Sequence, residues 1–168
     1  RGMQLPDNLK ELVQDKKTQK WPIGENGYFL RDDGVEYTPS EAQGGFIKST
    51  ARNVLFYGPR GSGKSGAGSQ KAMFKIMKGE PGVIMNPDFE NLKISTWPEF
   101  KRWIPWKMVV PSQRHRQSDV WQPSKPFTMV FQNGAKVYIK GGREAGSTRG
   151  PNVNWFWYDE GGRDDSGI

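Results

Sequence analysis

One stretch of the chain places glycines, a lysine and a hydroxyl side chain at a spacing that can bind phosphate. Residues 58–65 read Gly-Pro-Arg-Gly-Ser-Gly-Lys-Ser, which is the full G-x-x-x-x-G-K-S pattern. Glycines adopt backbone angles that other residues avoid, so successive N–H groups of such a loop can turn toward an anion. In loops of this pattern the lysine reaches the β- and γ-phosphates of a nucleotide, and the hydroxyl ligates Mg²⁺. The candidate nucleotide-binding residues are Gly58, Pro59, Arg60, Gly61, Ser62, Gly63, Lys64 and Ser65.

A pair of carboxylates, Asp159 and Glu160, could supply the rest of a hydrolytic site. The pair follows directly after the apolar run at 153–158. Nucleotide hydrolysis needs a carboxylate that helps to hold Mg²⁺ and a group that orients the attacking water. We therefore expect Ser65 and Asp159 to hold the metal and Glu160 to polarise the water. The alternative is that the pair only begins a surface loop.

These groups can act together only if the fold brings them to one edge of a sheet. Residues 53–57 form a short apolar run that is typical of a buried parallel strand. The residues after the loop predict a helix from Lys64 to Lys78, which ends before Gly79 and Pro81. Residues 153–158 predict another strand. In an open parallel sheet the carboxyl ends of the strands face the ligand crevice, so the loop and the carboxylates would meet there.

The remaining apolar runs and turn signals predict an α/β fold with a mostly parallel central sheet flanked by helices, plus a β-hairpin. The hairpin is indicated by Asn133-Gly134, a dipeptide typical of tight turns between strands. The predicted elements are a strand at 83–86, a helix at 87–103 broken near Trp97-Pro98, a short strand at 107–110, a basic loop at 111–126, and hairpin strands at 127–131 and 135–140.

Composition narrows the chemistry further. The 168 residues suffice for one domain with a core, and no run approaches the ~18 apolar residues that a membrane helix needs. Cys is absent and His115 is the only histidine, which excludes disulfides, zinc sites of the usual kind and Cys/His nucleophilic chemistry. Any metal must therefore bind to oxygen atoms, which favours Mg²⁺. The net charge of +7 favours a polyanionic partner, nucleic acid first, although ordinary solubility also explains it.

Three stretches together resemble the ATPase domain of the large terminase subunit, the motor that packages DNA into tailed-bacteriophage heads. The first is the loop at 58–65, with an arginine three places before its Gly-Lys pair. The second, at 131–139, is similar to the family's F-x-N-G-S hairpin. The third is the Arg-Gly turn at 147–152 that precedes Asp159-Glu160. The resemblance implies an ASCE-type P-loop ATPase that uses ATP and Mg²⁺, and the guanine-reading string Asn-Lys-x-Asp is absent.

The resemblance also implies roles for residues that spacing alone does not assign. Arg60 would act on the γ-phosphate side of the loop, where the transition state gains charge. Gln43 is similar to the family's adenine-reading glutamine, with a plain polar loop residue as the alternative. Arg149 lies where related motors place an arginine that reaches a neighbouring subunit's ATP. A local turn contact is the alternative for Arg149, and Arg143 is the competing candidate. The implied catalytic set is Glu160, Arg60, Lys64 and Arg149.

Partners and domain organisation follow from the same resemblance. It implies double-stranded DNA, the portal protein and the small terminase subunit as partners, with copies of the chain forming a ring and with no membrane. The expected location is the host cytoplasm, docked transiently on the procapsid portal. We expect residues 1–40 to form a lead-in and residues 41–168 to form an ATPase core that stops after the carboxylate pair. Nuclease activity would belong to a further C-terminal domain.

Three other functions fit some of the residues. A helicase-like ATPase would share both phosphate-site motifs. A binding module could hold nucleotide as a structural switch without turning it over. A DNA-binding protein could use the glycine-rich loop to grip backbone phosphates, and the basic loop at 112–118 is a candidate for DNA contact in any of these cases.

Overall fold

The computed structural model describes residues 20–59, 61–142 and 152–160. These residues form a mixed α/β fold in which helices precede and connect the strands of one sheet. The helices are α1 (Glu41–Lys48), α2 (Lys64–Met77), α3 (Phe89–Asn91), a π-helical segment (Leu92–Thr96), α4 (Trp97–Trp103), and 3-10 helices at Trp106–Met108 and Pro111–Gln117. The strands are β1 (Gly82–Asn86), β2 (Phe127–Val130), β3 (Lys136–Gly141) and β4 (Trp155–Tyr158).

The sheet has four strands in the order β2-β3-β1-β4, and it is mostly parallel as expected. Strand β1 runs parallel to both β3 and β4, whereas β2 is antiparallel to β3. All five residues of β1 are buried, as expected for an inner strand of a parallel sheet. Met85 lies opposite Tyr158, so the end of β1 and the residues after β4 reach the same edge of the sheet.

The predicted hairpin is confirmed. Strands β2 and β3 are joined by a turn in which Gly134 has a φ of 90°, a backbone angle that favours glycine. Asn133 donates from Nδ2 to the carbonyl oxygen of Ile76 at 2.8 Å, so the turn is also fastened to the last turn of α2. The hairpin therefore braces the helix that follows the glycine-rich loop.

The strand predicted at 53–57 is wrong. These residues form neither helix nor strand, and the side chains of Leu55 and Tyr57 are 74% and 84% exposed. Their apolar character satisfies the pattern of a buried strand, but a strand also needs a neighbour that completes its backbone hydrogen bonds. Among the described residues no strand pairs with this run, and Phe56 packs instead against Phe46 of α1.

Three smaller predictions are also corrected. Residues 107–110 form a 3-10 turn and one isolated bridge from Val109 to Phe131, because Pro111 ends the run after a single pairing. The helix predicted at 87–103 begins at Phe89 and continues to Trp103. Near the predicted break at Trp97-Pro98 it does not end, but it changes from a π-helical to an α-helical segment. The basic loop contains the 3-10 helix Pro111–Gln117.

The main core lies where α2 and the helical run 89–103 pack on the sheet. Its most deeply buried side chains come from all of these elements and include Ile76, Ile84, Leu92, Phe100 and Ile139. Each such side chain contributes about 1.5–3 kcal/mol relative to an exposed position. None of the described helices is both long enough and apolar enough to cross a membrane.

Candidate active site

The glycine-rich loop has the backbone angles that its sequence predicts. Gly61 and Gly63 have φ values of 77° and 74°, where other residues are strained. A Cβ atom at Gly58 would lie 2.5 Å from the Oγ atom and 3.0 Å from the Cβ atom of Ser62, so the Ser62 side chain would have to shift to accommodate it. Backbone angle thus explains glycine at Gly61 and Gly63, and close packing favours it at Gly58. Arg60 lies outside the described residues.

Two polar side chains of the loop region, Lys64 and Ser62, are packed against the loop itself. Lys64 donates from Nζ to the carbonyl oxygens of Gly58 and Pro59, which holds the ammonium against the loop. The Ser62 Oγ atom is buried and has no hydrogen-bond partner among the described residues. A buried hydroxyl without a partner is costly, and an anion in the loop would give it one. This orphaned hydroxyl is an observation that fits phosphate binding.

Helix α2 directs its positive end at the same place. Its N-cap is Gly63, and no side chain caps the helix or places an acidic group in its first turn. The uncapped N–H groups and the helix dipole favour an anion at this position. The helix approaches β4 closely at Gly68, where a Cβ atom would lie 2.4 Å from the indole of Trp157. This contact sets the distance between the loop and the end of β4.

Ser65 and Asp159, the predicted metal-holding pair, lie together. Ser65 donates from Oγ to Asp159 Oδ2 at 2.9 Å, and Thr96 donates from Oγ1 to the same oxygen at 2.8 Å. Asp159 is only 5% exposed. Burial raises the pKa of the Asp159 carboxyl above its ordinary value, while the hydrogen bonds from Thr96 and Ser65 lower it. The carboxyl is thus held in one place by two hydroxyls from different elements.

Glu160 lies beside this pair in an unusual backbone conformation. It has a φ of 56°, the only positive φ among the described residues other than glycine. Asn91 donates from Nδ2 to Glu160 Oε2. Non-glycine residues in this region cost about 1–3 kcal/mol and cluster at functional sites. The predicted water-polarising group thus lies next to the predicted metal-holding pair, at the point where the chain leaves the sheet.

Three polar side chains at this site were not predicted. Thr96 contacts Asp159, Asn91 contacts Glu160, and Asn86 contacts both Thr96 and Asn91, at 3.1 Å and 3.3 Å. Asn86 had a detectable signal, because it ends a predicted strand whose carboxyl end faces the crevice. Thr96 had none, since its position depends on the π-helical turn, and Asn91 had none because no motif marks it.

Gln43 contacts the glycine-rich loop. Its Nε2 atom donates to the Ser62 carbonyl oxygen at 2.8 Å, and its Oε1 atom accepts from the Ser40 N–H at 2.8 Å within a capping box of α1. Lys71 of α2 donates from Nζ to three carbonyl oxygens at the other end of α1, those of Phe46, Ile47 and Ser49. Helix α1 is therefore fastened at both ends, to the loop and to the helix that follows it.

The arginines proposed to act between subunits, Arg149 and Arg143, lie outside the described residues. The basic loop is described, and its guanidinium groups bind within the fold. Arg114 donates to the carbonyl oxygens of Val109 and Lys107. Arg116 donates to that of Thr128 and lies 5.2 Å from the centre of the Trp121 ring. Both arginines thus have a structural role in this loop.

The side chains at the site fit ATP with Mg²⁺. A hydroxyl and a carboxylate are the hard oxygen ligands that Mg²⁺ prefers, and phosphate oxygens and water complete such a shell. In the part of the chain that the structure describes, no three His, Cys, Asp or Glu side chains form a metal-binding group. A site shared with a nucleotide needs only the Ser65–Asp159 pair from the protein.

No protein-family model, curated protein or solved structure matches this chain. The site's geometry and the resemblance of its motifs are therefore the two supports for a function.

Proposed function

We propose that this chain is a P-loop ATPase that binds ATP with Mg²⁺ and hydrolyses it. The observation that carries the proposal is the 2.9 Å hydrogen bond from Ser65 Oγ to Asp159 Oδ2, which joins residues 94 positions apart. A glycine-rich turn with an incidental Lys-Ser pair gives no reason for that contact. A nucleotide site does, because the hydroxyl and the carboxylate must reach the same metal.

Each group of the site has a defined task in this reaction. Lys64 and the N–H groups at the start of α2 bind the phosphates and offset their charge. Ser65 and Asp159 would hold Mg²⁺, which supplies positive charge at the β- and γ-phosphates when bound. Glu160 accepts a hydrogen bond from the attacking water and takes its proton. Gln43 contacts the loop at Ser62, and it would read the adenine, the role that the resemblance implies.

The finer proposal is that hydrolysis drives double-stranded DNA into a viral procapsid. Its support is the resemblance to large terminase subunits in the loop at 58–65, the hairpin at 131–139 and the turn at 147–152. The net charge of +7 suits a DNA partner. On this proposal the copies form a ring at the procapsid portal in the host cytoplasm, with the small terminase subunit as a further partner. Arg149 or Arg143 then completes the neighbouring subunit's site.

Nucleotide binding and turnover test the proposal separately. A fluorescent ATP analogue should bind with a strong dependence on Mg²⁺, and Lys64→Ala should abolish that binding. Lys78→Ala is the matched control, because Lys78 is an exposed lysine at the far end of α2. Glu160→Gln should keep the binding and lower phosphate release by about 10²–10⁴. Binding without turnover in the wild type would instead indicate a switch module.

Two conditions make the turnover assay informative. An arginine supplied by a neighbouring copy is worth about 10³–10⁵ in rate, so phosphate release must be followed over a range of protein concentrations. Double-stranded and single-stranded DNA should be compared as activators. Stimulation by duplex DNA alone supports the packaging motor, whereas stimulation by single strands favours the helicase-like alternative. Turnover that Glu160→Gln leaves unchanged would refute the mechanism.

A further inference from the structure

A chain of buried polar side chains connects the end of β1 to Asp159. Asn86 donates from Nδ2 to Thr96 Oγ1 at 3.1 Å, and Thr96 Oγ1 donates to Asp159 Oδ2 at 2.8 Å. Asn86 and Thr96 are essentially inaccessible to solvent, at 0% and 1% exposure. Buried polar groups persist where they are hydrogen-bonded, so each of these contacts constrains the next.

The direction of this chain follows from the identity of its donors. Asn86 Oδ1 accepts from the Asp88 backbone N–H at 3.2 Å, and that N–H can only donate. The amide oxygen of Asn86 is therefore assigned, and its NH₂ group faces Thr96. Because the Thr96 oxygen accepts from Asn86, its single proton is directed to Asp159. Asn86 thus fixes which way the hydroxyl of Thr96 points.

The π-helical segment is what places Thr96 at this position. The Trp97 N–H donates to the Leu92 carbonyl oxygen, five residues back, so the turn that ends at Thr96 is wider than in an α-helix. Ser95, the preceding residue on the same turn, donates to the Asn91 carbonyl oxygen at 2.8 Å and does not contact Asp159. Only one of the two hydroxyls on this turn reaches the carboxylate. Single π turns of this kind occur frequently at functional sites.

We propose that Thr96, oriented by Asn86, is a positioning residue for the Mg²⁺-holding carboxylate of Asp159. The inference rests on the proposed function, because it assumes that Asp159 and Ser65 serve a metal. Ser65 and Thr96 donate to the same oxygen of Asp159, but Ser65 also has to serve as a ligand itself. Thr96 has no such second task, so it keeps the carboxyl in place while Ser65 engages the metal. Outer partners of this kind orient ligands and raise metal affinity.

The test measures how nucleotide binding depends on Mg²⁺, which does not require turnover. A fluorescent ADP analogue is titrated with the full chain in EDTA, and then at rising Mg²⁺ concentration. Thr96→Val keeps the shape of the side chain and removes its donor. We expect it to raise the half-saturating Mg²⁺ concentration about 10–100-fold and to leave the affinity in EDTA unchanged. Thr96→Ser should restore the wild-type value, and Ser95→Ala is the matched control on the same turn.

A second variant acts on the same chain from the other side. Asn86→Asp keeps the acceptor for the Asp88 N–H but replaces the NH₂ group with an oxygen. The Thr96 proton then has two carboxylates competing for it, so this variant should also raise the half-saturating Mg²⁺ concentration. If thermal melting shows that Thr96→Val does not fold, the Mg²⁺ dependence of Asn86→Asp tests the positioning role in its place.

The possible results distinguish a failure of the positioning role from a failure of the proposed function. A Mg²⁺ dependence unchanged in Thr96→Val, or in Asn86→Asp when Thr96→Val does not fold, overturns the positioning role and leaves the ATPase proposal standing. Equal losses in Thr96→Val and Thr96→Ser also overturn it, because they indicate packing and not donation. Nucleotide binding by the wild type that ignores Mg²⁺ refutes the proposed function itself.

Discussion

Helix α2 touches β4 at Gly68, and replacing this glycine with alanine tests whether that contact sets the geometry of the site. The added Cβ atom would lie 2.4 Å from Cε2 and Cζ2 of Trp157 and 2.7 Å from Nε1. Carbon atoms in contact lie about 3.5–4.0 Å apart, so the helix or the indole has to move by more than an ångström. A movement of the helix would separate Ser65, one turn earlier on α2, from Asp159, the residue after β4.

The expected magnitude follows from two opposing effects. Alanine is better than glycine inside a helix by about 0.5–1 kcal/mol. Overpacking a well-filled site costs about 1–3 kcal/mol, and a rigid aromatic ring places Gly68→Ala in the upper part of that range. We therefore expect a net loss of about 1–2 kcal/mol in the free energy of unfolding, together with weaker Mg²⁺-dependent nucleotide binding.

Gly45→Ala is the matched control, because Gly45 lies inside α1 and no described atom is within 4 Å of its added Cβ. It should be stabilising by about 0.5–1 kcal/mol, the difference between alanine and glycine in a helix. Urea unfolding followed by circular dichroism measures both variants. If Gly68→Ala stabilises the protein as much as Gly45→Ala does, α2 and β4 are not in close contact, and the placement of Ser65 beside Asp159 is wrong.

Two further predictions concern the support of the site. Lys71→Met removes the donor to three carbonyl oxygens at the end of α1 and should cost about 1–3 kcal/mol of stability. Lys75→Met, the control, loses only a partly exposed ion pair and should cost about 0–1 kcal/mol. Thermal or urea unfolding distinguishes the two variants. Burial raises the pKa of Tyr37 to about 12, so the folded protein keeps a proton that the unfolded chain loses above its ordinary pKa. Stability should therefore fall as pH rises from about 10 to 12. The fall should be smaller in Tyr37→Phe, which at neutral pH loses only a buried hydroxyl without a described partner. An equal fall in both proteins would contradict the burial of Tyr37.

Short-range signals explain which parts of the fold were predictable from the sequence. The helix after the loop, strand β1 and the hairpin each have a local pattern with stop signals, and all three occur close to the expected bounds. Residues 53–57 have the same local pattern but no described strand beside them. Strand formation depends on a partner that is distant in sequence, so an apolar run alone does not determine it.

The residues of the candidate site also differ in whether a local sequence pattern identifies them. The motif residues Lys64, Ser65 and Asp159 were identified because phosphate and metal chemistry restricts residue type and spacing. Thr96 was not, because a π turn changes which side of a helix a residue occupies and has no sequence signature. The sequence therefore predicted the groups that are proposed to contact a ligand, and it did not predict the side chains that hold them.

The register of the sheet gives the adjacent residues Asp159 and Glu160 different structural support. The Asp159 N–H donates to the Met85 carbonyl oxygen at 2.8 Å, which extends the ladder between β1 and β4 by one residue. The backbone of Asp159 is thus fixed by the sheet, and its side chain is fixed by Ser65 and Thr96. Glu160 is the first residue beyond that ladder, and its φ of 56° turns the chain out of the sheet. A metal ligand gains from rigid support on several elements. On the proposed function, a group that activates water would gain from the next position, because it would lie beside the metal-holding carboxylate without sharing the hydrogen bonds that hold it.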